Sequence, residues 1–328
     1  SRAVMTARGN IFSVPAENGY VKALTQTSGA AERYPAWSPD GRSVAYWSDA
    51  SGEYELYIAQ PDNMTAAQKK TSYGPGYRYQ PWWSPDSKKL AFIDKAMQIQ
   101  MVDAATGQTT QIDKGLRMMH GDLENFVVRW SPDSRYLTYS RDLDNSHDAV
   151  FIYDVAQKKL RQITSGFYSA SYPVFDPEGK YLYLLTSQYL QPAYSSIDNS
   201  FIYANSTGIA AISLLKKTPS LLAPKNDTVA LKLDEPAKRE ELVAKAEKAR
   251  KDTTVAVKPL PSANNVLIDF DGLESRMVLL PVPAGNYANL TAAKEKIIYL
   301  KYPNTGSSGP GSIKFYDTEK REEKTILD

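Results

Sequence analysis

Histidine occurs twice in the 328 residues, at His120 and His147, and cysteine is absent. A nucleophile–base–carboxylate scheme therefore has two bases to draw on and no thiol. His147 lies in Arg141-Asp142-Leu143-Asp144-Asn145-Ser146-His147-Asp148, a polar stretch between two strand-like runs. Its carboxylates could polarise the ring, but a solvated hairpin residue is the simpler reading. His120, in Arg117-Met118-Met119-His120-Gly121-Asp122, falls near the inner end of a repeat and could face a pore. The Gly-x-Ser-x-Gly nucleophile elbow does not occur.

Other chemistry is thinly supported. Asp142, Asp144, Asn145 and Asp148 form a loose set of oxygen ligands, but the glycine and terminal glutamate of a calcium loop are missing. Gly306-Ser307-Ser308-Gly309-Pro310-Gly311 lacks the lysine and following helix of a phosphate loop and reads as a flexible hairpin. No metal or cofactor is expected. Arg33, Arg78 and Arg129 precede or lie in the first strands of successive repeats. If they point inward, they make a basic channel mouth suited to a peptide carboxylate. Tyr73-Gly74-Pro75-Gly76-Tyr77-Arg78-Tyr79 joins two repeats and could contact a peptide or glycan; packing between repeats is the plainer alternative. The candidate binding residues are Arg33, Arg78, Tyr79, Arg129 and His120.

The elements that must position them are strands. Tyr, Trp and Phe number 22, 5 and 9, and such residues favour pleated surfaces. Lys plus Arg is 39 against 37 acidic residues, so a net charge of +2 gives no case for nucleic-acid binding. No apolar run reaches the roughly 18 residues of a membrane span. The first residues, Ser1-Arg2-Ala3-Val4-Met5, read as the start of a piece cut from something longer.

One phrase recurs: Tyr34-Pro35-Ala36-Trp37-Ser38-Pro39-Asp40-Gly41, Gln80-Pro81-Trp82-Trp83-Ser84-Pro85-Asp86-Ser87 and Val127-Val128-Arg129-Trp130-Ser131-Pro132-Asp133-Ser134. A worn copy is Tyr172-Pro173-Val174-Phe175-Asp176-Pro177-Glu178-Gly179. The aromatic anchors at 37, 83, 130 and 175 are spaced by 45–47 residues. That period, with four short strands per unit, is a propeller signature. Ser-Pro-Asp-Gly is turn chemistry, and alternating runs such as 43–47, 89–93, 136–139 and 181–185 follow each turn. The expected fold is an all-β propeller of four-stranded antiparallel blades.

Six units emerge: a partial one over 3–27, blades at 33–73, 78–113 and 126–165, a fourth anchored unit from about 170 to 283, and a last one from Tyr287. The first unit shows two strands, 10–14 and 21–25, and lacks its inner ones, so either closure is unconventional or one blade lies outside. The fourth anchored unit is interrupted by 217–260. There Asp234 caps a helix over 237–251, with Glu241/Lys245 and Glu247/Lys251 pairs. A solvated helix is the simpler reading, a lid or docking arm the sharper one. The whole of 1–328 is expected to be one propeller domain.

Two longer stretches carry a resemblance. Ala7-Arg8-Gly9-Asn10-Ile11-Phe12-Ser13-Val14-Pro15 followed by 24–33, and Ile268-Asp269-Phe270-Asp271-Gly272-Leu273-Glu274-Ser275-Arg276 followed by 280–287, resemble the second propeller of the tricorn protease family. The resemblance implies a seven-bladed ring that guides or filters peptides toward serine-peptidase domains. It implies no catalytic residue here, since the family's catalytic regions have no counterpart in the chain. It further implies peptide substrates, the other domains of the same peptidase and homo-oligomers of the full-length protein as partners. Neither nucleic acid nor membrane is among them. Export to a bacterial periplasm is expected, with the cytoplasm as alternative. A stand-alone TolB-like propeller, acting as an interaction scaffold, is the alternative function.

Overall fold

The computed structural model describes residues 2–61, 63–116, 123–189, 192–195, 197, 199–225 and 265–328. His120 and the helix expected over 237–251 lie outside them. The chain divides into two compact units: Ser1–Leu221 with Asn264–Asp328, and Leu222–Ala263, of which 222–225 are described.

The first unit is a succession of antiparallel sheets whose strands follow chain order. The first sheet has three strands, β1 (Arg2–Ala7), β2 (Asn10–Pro15) and β3 (Lys22–Ala23). The next four-stranded sheets are β4 (Glu32–Trp37), β5 (Val44–Ser48), β6 (Glu55–Gln60), β7 (Asn63–Lys69), then β8 (Trp82–Trp83), β9 (Lys89–Ile93), β10 (Gln98–Asp103), β11 (Thr109–Lys114). After them come β12 (Arg129–Trp130), β13 (Tyr136–Asp142), β14 (Asp148–Asp154) and β15 (Lys159–Gln162). The fifth sheet starts with β16 (Ala170–Phe175) and β17 (Tyr181–Thr186), and a separate hairpin of β18 (Ala193–Ser195) and β19 (Ser200–Ile202) follows. The sheet then resumes with β20 (Gly208–Ser213) and, beyond 214–276, β21 (Met277–Leu279). The last sheet is β22 (Asn286–Ala293), β23 (Lys296–Tyr302), β24 (Ser312–Asp317) and β25 (Glu322–Leu327). Among the described residues, no strand from the start of the chain joins that last sheet.

The second and third strands of each sheet are the most apolar, and they build the core. Ala45, Trp47 and Leu56 of the second sheet pack with Leu90, Phe92 and Val102 of the third. Tyr136, Val150 and Ile152 of the fourth pack with Leu182, Leu184, Ala210 and Ile212 of the fifth. Each fully buried Leu, Ile or Phe contributes about 1.5–3 kcal/mol. Trp47 also places its Nε1–H on the Tyr79 carbonyl at 2.9 Å, so its one polar atom is satisfied across the sheet boundary.

The Ser-Pro-Asp turns repeat atom for atom. Ser38, Ser84 and Ser131 each donate from Oγ to Asp40, Asp86 and Asp133 at 2.6 Å. The same serines accept the backbone N–H of Ser43, Lys89 and Tyr136 at 2.8–2.9 Å. The fourth turn residue is left-handed: Gly41 at φ 71°, Ser87 at 60°, Ser134 at 62°, Gly179 at 70°. Serine costs more there than glycine. An interblade bond offsets it: Ser87 Oγ accepts from Asp40 N–H at 3.1 Å, and Ser134 Oγ from Asp86 N–H at 3.0 Å.

Two features depart from the sequence reading. The first sheet has a third strand, β1, whose residues are mostly exposed and so carry little alternation. The fifth sheet is interrupted twice, since the β18–β19 hairpin departs before β20 and the 214–276 segment after it. The first strands of three sheets also bulge, with left-handed residues Tyr34, Tyr172 and Asn289 at the register shifts.

Candidate functional site

Arg33 sits on β4, just before the bulge at Tyr34 and Pro35. The bulge aims its exposed guanidinium at two tyrosines from different segments. Nε donates to the Tyr54 hydroxyl at 2.8 Å and Nη1 to the Tyr77 hydroxyl at 3.3 Å. The same guanidinium lies 5.6 and 5.8 Å from the two ring centroids. Tyr77 in turn meets Tyr34, Tyr54 and Tyr79 edge-on at 5.0–6.3 Å. The hydrogen bond from Arg33 to Tyr54 raises the arginine's pKa further. Burial and the Tyr77 hydroxyl raise that of Tyr34. The result is a cation held on an aromatic platform, suited to hydrogen-bonding and stacking on a peptide.

Arg78 goes elsewhere. Its backbone bridges Asp94, and its side chain is buried. Nη1 donates to the carbonyls of Tyr54, Gly74 and Gly76 at 2.8, 3.1 and 3.1 Å, and the guanidinium lies 4.7 Å from the Tyr73 ring centroid. This arginine ties down the loop between two blades. Beside it is a cavity of about 260 Å³ lined by Tyr73, Pro75, Tyr77, Asp94 and Gln98. Tyr79 is also buried, packed against Tyr77 at 5.0 Å between centroids.

Arg129, on β12, is half-buried, with its guanidinium 5.1 Å from the Trp82 ring centroid. Burial lowers its pKa. His147 lies in the β13–β14 turn, where Asn145 Oδ1 accepts its backbone N–H at 3.0 Å. Its Nδ1 is 2.9 Å from the Gly166 carbonyl, so the proton on that nitrogen donates there and the ring clasps the next turn. Asn145 Nδ2 donates to the same carbonyl at 2.9 Å. Among the described residues no group of three or more His, Asp or Glu side chains is arranged to hold a metal.

Thus Arg33 and Tyr79 share one aromatic cluster, Arg78 backs it, and Arg129 stands apart on the next blade but one. Tyr54, Tyr77 and Trp82 complete these arrangements. The doubled tryptophan Trp82-Trp83 was the signal available for the last of them.

The family described as tricorn protease second beta propeller domain matches residues 1–328. The chain belongs to this family. Tricorn protease homolog 1 of Streptomyces coelicolor is 24% identical over 312 residues, covering 94% of this chain and 27% of its own length. A tricorn-like protease C-terminal subunit of Sulfurisphaera tokodaii is 20% identical over 329 residues, covering 99% and 33%. The chain thus spans a third or less of these relatives. A tricorn protease crystal structure aligns with a TM-score of 0.73 at 18% identity, covering 99% of this chain and 29% of that one. A TolB structure from Agrobacterium tumefaciens reaches 0.50 at 15% identity, covering 94% and 84%. These likenesses show the fold, a β-propeller of four-stranded blades.

Proposed function

We propose that this propeller guides or filters peptides toward the catalytic domains of a tricorn-like serine peptidase. The observation that carries the reading is the family match over the whole chain. The Arg33–Tyr54–Tyr77 cluster supports it, because an exposed cation on an aromatic platform contacts peptide backbone and side chains without selecting one sequence. In this reading 1–328 acts as one propeller domain with 217–260 inserted in it. Its partners are peptide substrates, the remaining domains of the same polypeptide and further copies of the full-length protein. The compartment is periplasmic.

The test uses the full-length peptidase and oligopeptides of increasing length. Arg33→Ala with Tyr77→Ala should lower kcat/KM for long peptides by about threefold or more, as expected for loss of one or two hydrogen bonds. Turnover of a short chromogenic substrate should stay unchanged. Equal losses on both, or none, would overturn the guiding role.

A further inference from the structure

The position two residues before each turn serine is occupied by Ala36, Trp82 and Arg129 in three successive repeats. In the second and third of these it carries hydrogen-bond donors that nothing in the described protein uses. Trp82 Nε1 is buried and has no partner. The guanidinium of Arg129 makes no hydrogen bond or ion pair with the described residues and lies over the Trp82 ring, 5.1 Å from its centroid. The adjacent tryptophans behave otherwise: Trp83 Nε1 donates to the Ala36 carbonyl at 3.1 Å and Trp130 Nε1 to the Trp82 carbonyl at 3.0 Å. Arg33 Nε and Nη1 donate to tyrosine hydroxyls and Arg78 Nη1 to loop carbonyls. Trp37 Nε1 and Arg78 Nε are also without an acceptor, but Trp82 and Arg129 are the pair whose unspent donors lie side by side.

We propose that Arg129 and Trp82 form a carboxylate-binding site. A partly desolvated guanidinium without a counter-charge is costly, and so is a buried indole N–H without an acceptor. One ligand with two acceptor oxygens and a negative charge relieves both. The guanidinium presents paired N–H groups to it, and Trp82 adds a third donor at the ring edge. Both residues are half-buried, so the guanidinium is reachable from solvent, while Trp82 Nε1 is closed off and meets the ligand once the ring edge turns toward it. Burial already lowers the arginine's pKa, which an anion would reverse. The site rests on the peptide-guiding reading for the source of its ligand: a peptide's terminal carboxylate or an Asp or Glu side chain.

The experiment follows the Trp82 indole N–H resonance in the ¹⁵N-labelled chain, assigned with Trp82→Phe. The probes are acetate, an N-acetylated alanine tripeptide acid, its C-terminal amide, and an amide of the same length with a central glutamate. The acid peptide is expected to shift the resonance, and Arg129→Ala to weaken its binding about tenfold or more, the value of a charge-assisted hydrogen bond. Arg129→Lys, which keeps the charge without the fork, should recover part of that loss. Binding by the glutamate amide as well assigns a side-chain carboxylate, and binding by the acid alone assigns the terminus. A shift with acetate but with no peptide keeps the anion site and removes the peptide reading. Peptide binding unchanged by Arg129→Ala, Arg129→Lys and Trp82→Phe overturns the site and leaves that reading standing. No shift with any probe overturns the site too.

Discussion

The indole N–H of Trp130 donates to the carbonyl of Trp82, the residue before the equivalent tryptophan of the preceding blade. Trp83 does the same with Ala36. Trp37 heads the series, and its Nε1 is buried without a partner. Phenylalanine should therefore behave differently at the three positions. Trp83→Phe and Trp130→Phe each remove this interblade bond and should each cost about 1 kcal/mol in denaturant unfolding. Trp37→Phe removes an unsatisfied donor and should be neutral or stabilising. Equal losses at all three would show that ring volume, not the N–H, matters.

Gly107 closes the β10–β11 turn at φ 77°, and a Cβ there would lie 2.1 Å from the Lys70 carbonyl oxygen of the preceding blade. Gly107→Ala should destabilise by about 2 kcal/mol or more, from left-handed strain plus the clash. Gly41→Ala is the control, since nothing lies within 4 Å of a Cβ at that left-handed glycine. It should cost the strain alone, about 1 kcal/mol. Thermal melts of both variants separate the two effects.

Ser87 combines an unfavourable φ with an interblade bond from Asp40 N–H. Ser87→Ala keeps the strain and loses the bond, at about 1 kcal/mol. Ser87→Gly loses the bond but relieves the strain, so it should be the milder variant. The reverse order in chemical denaturation would mean that the left-handed backbone at this position carries little strain, and the loss common to both variants measures the hydroxyl.

Glu32 is buried, and its carboxylate accepts from Thr25 Oγ1 at 3.0 Å. Burial raises its pKa above the ordinary 4.5. The unfolded chain therefore loses this proton first. The group's contribution is fully present below about pH 4.5 and is lost as pH rises through the folded value. Glu32→Gln should match wild type in acid and gain on it as pH increases. A constant difference across pH 4–8 would show that the shift is absent.

The repeat was legible because its signals are local. Ser-Pro-Asp sets its own turn, and Trp37, Trp83 and Trp130 mark strands that tertiary contacts merely confirm. β1 was not, since Arg2–Ala7 is exposed on most of its length and shows no clean alternation. The three arginines looked equivalent in sequence. Their fates diverge through partners brought from distant segments: tyrosine hydroxyls for Arg33, loop carbonyls for Arg78, and an indole face for Arg129. No local pattern encodes that difference.

The bonds from Asp40 N–H to Ser87 and from Asp86 N–H to Ser134 bind the second sheet to the third and the third to the fourth. Mechanical load on the sheets thus passes from neighbour to neighbour, as along the links of a chain. Such a body melts by fraying, with each link's strength set by its own interface and those beside it.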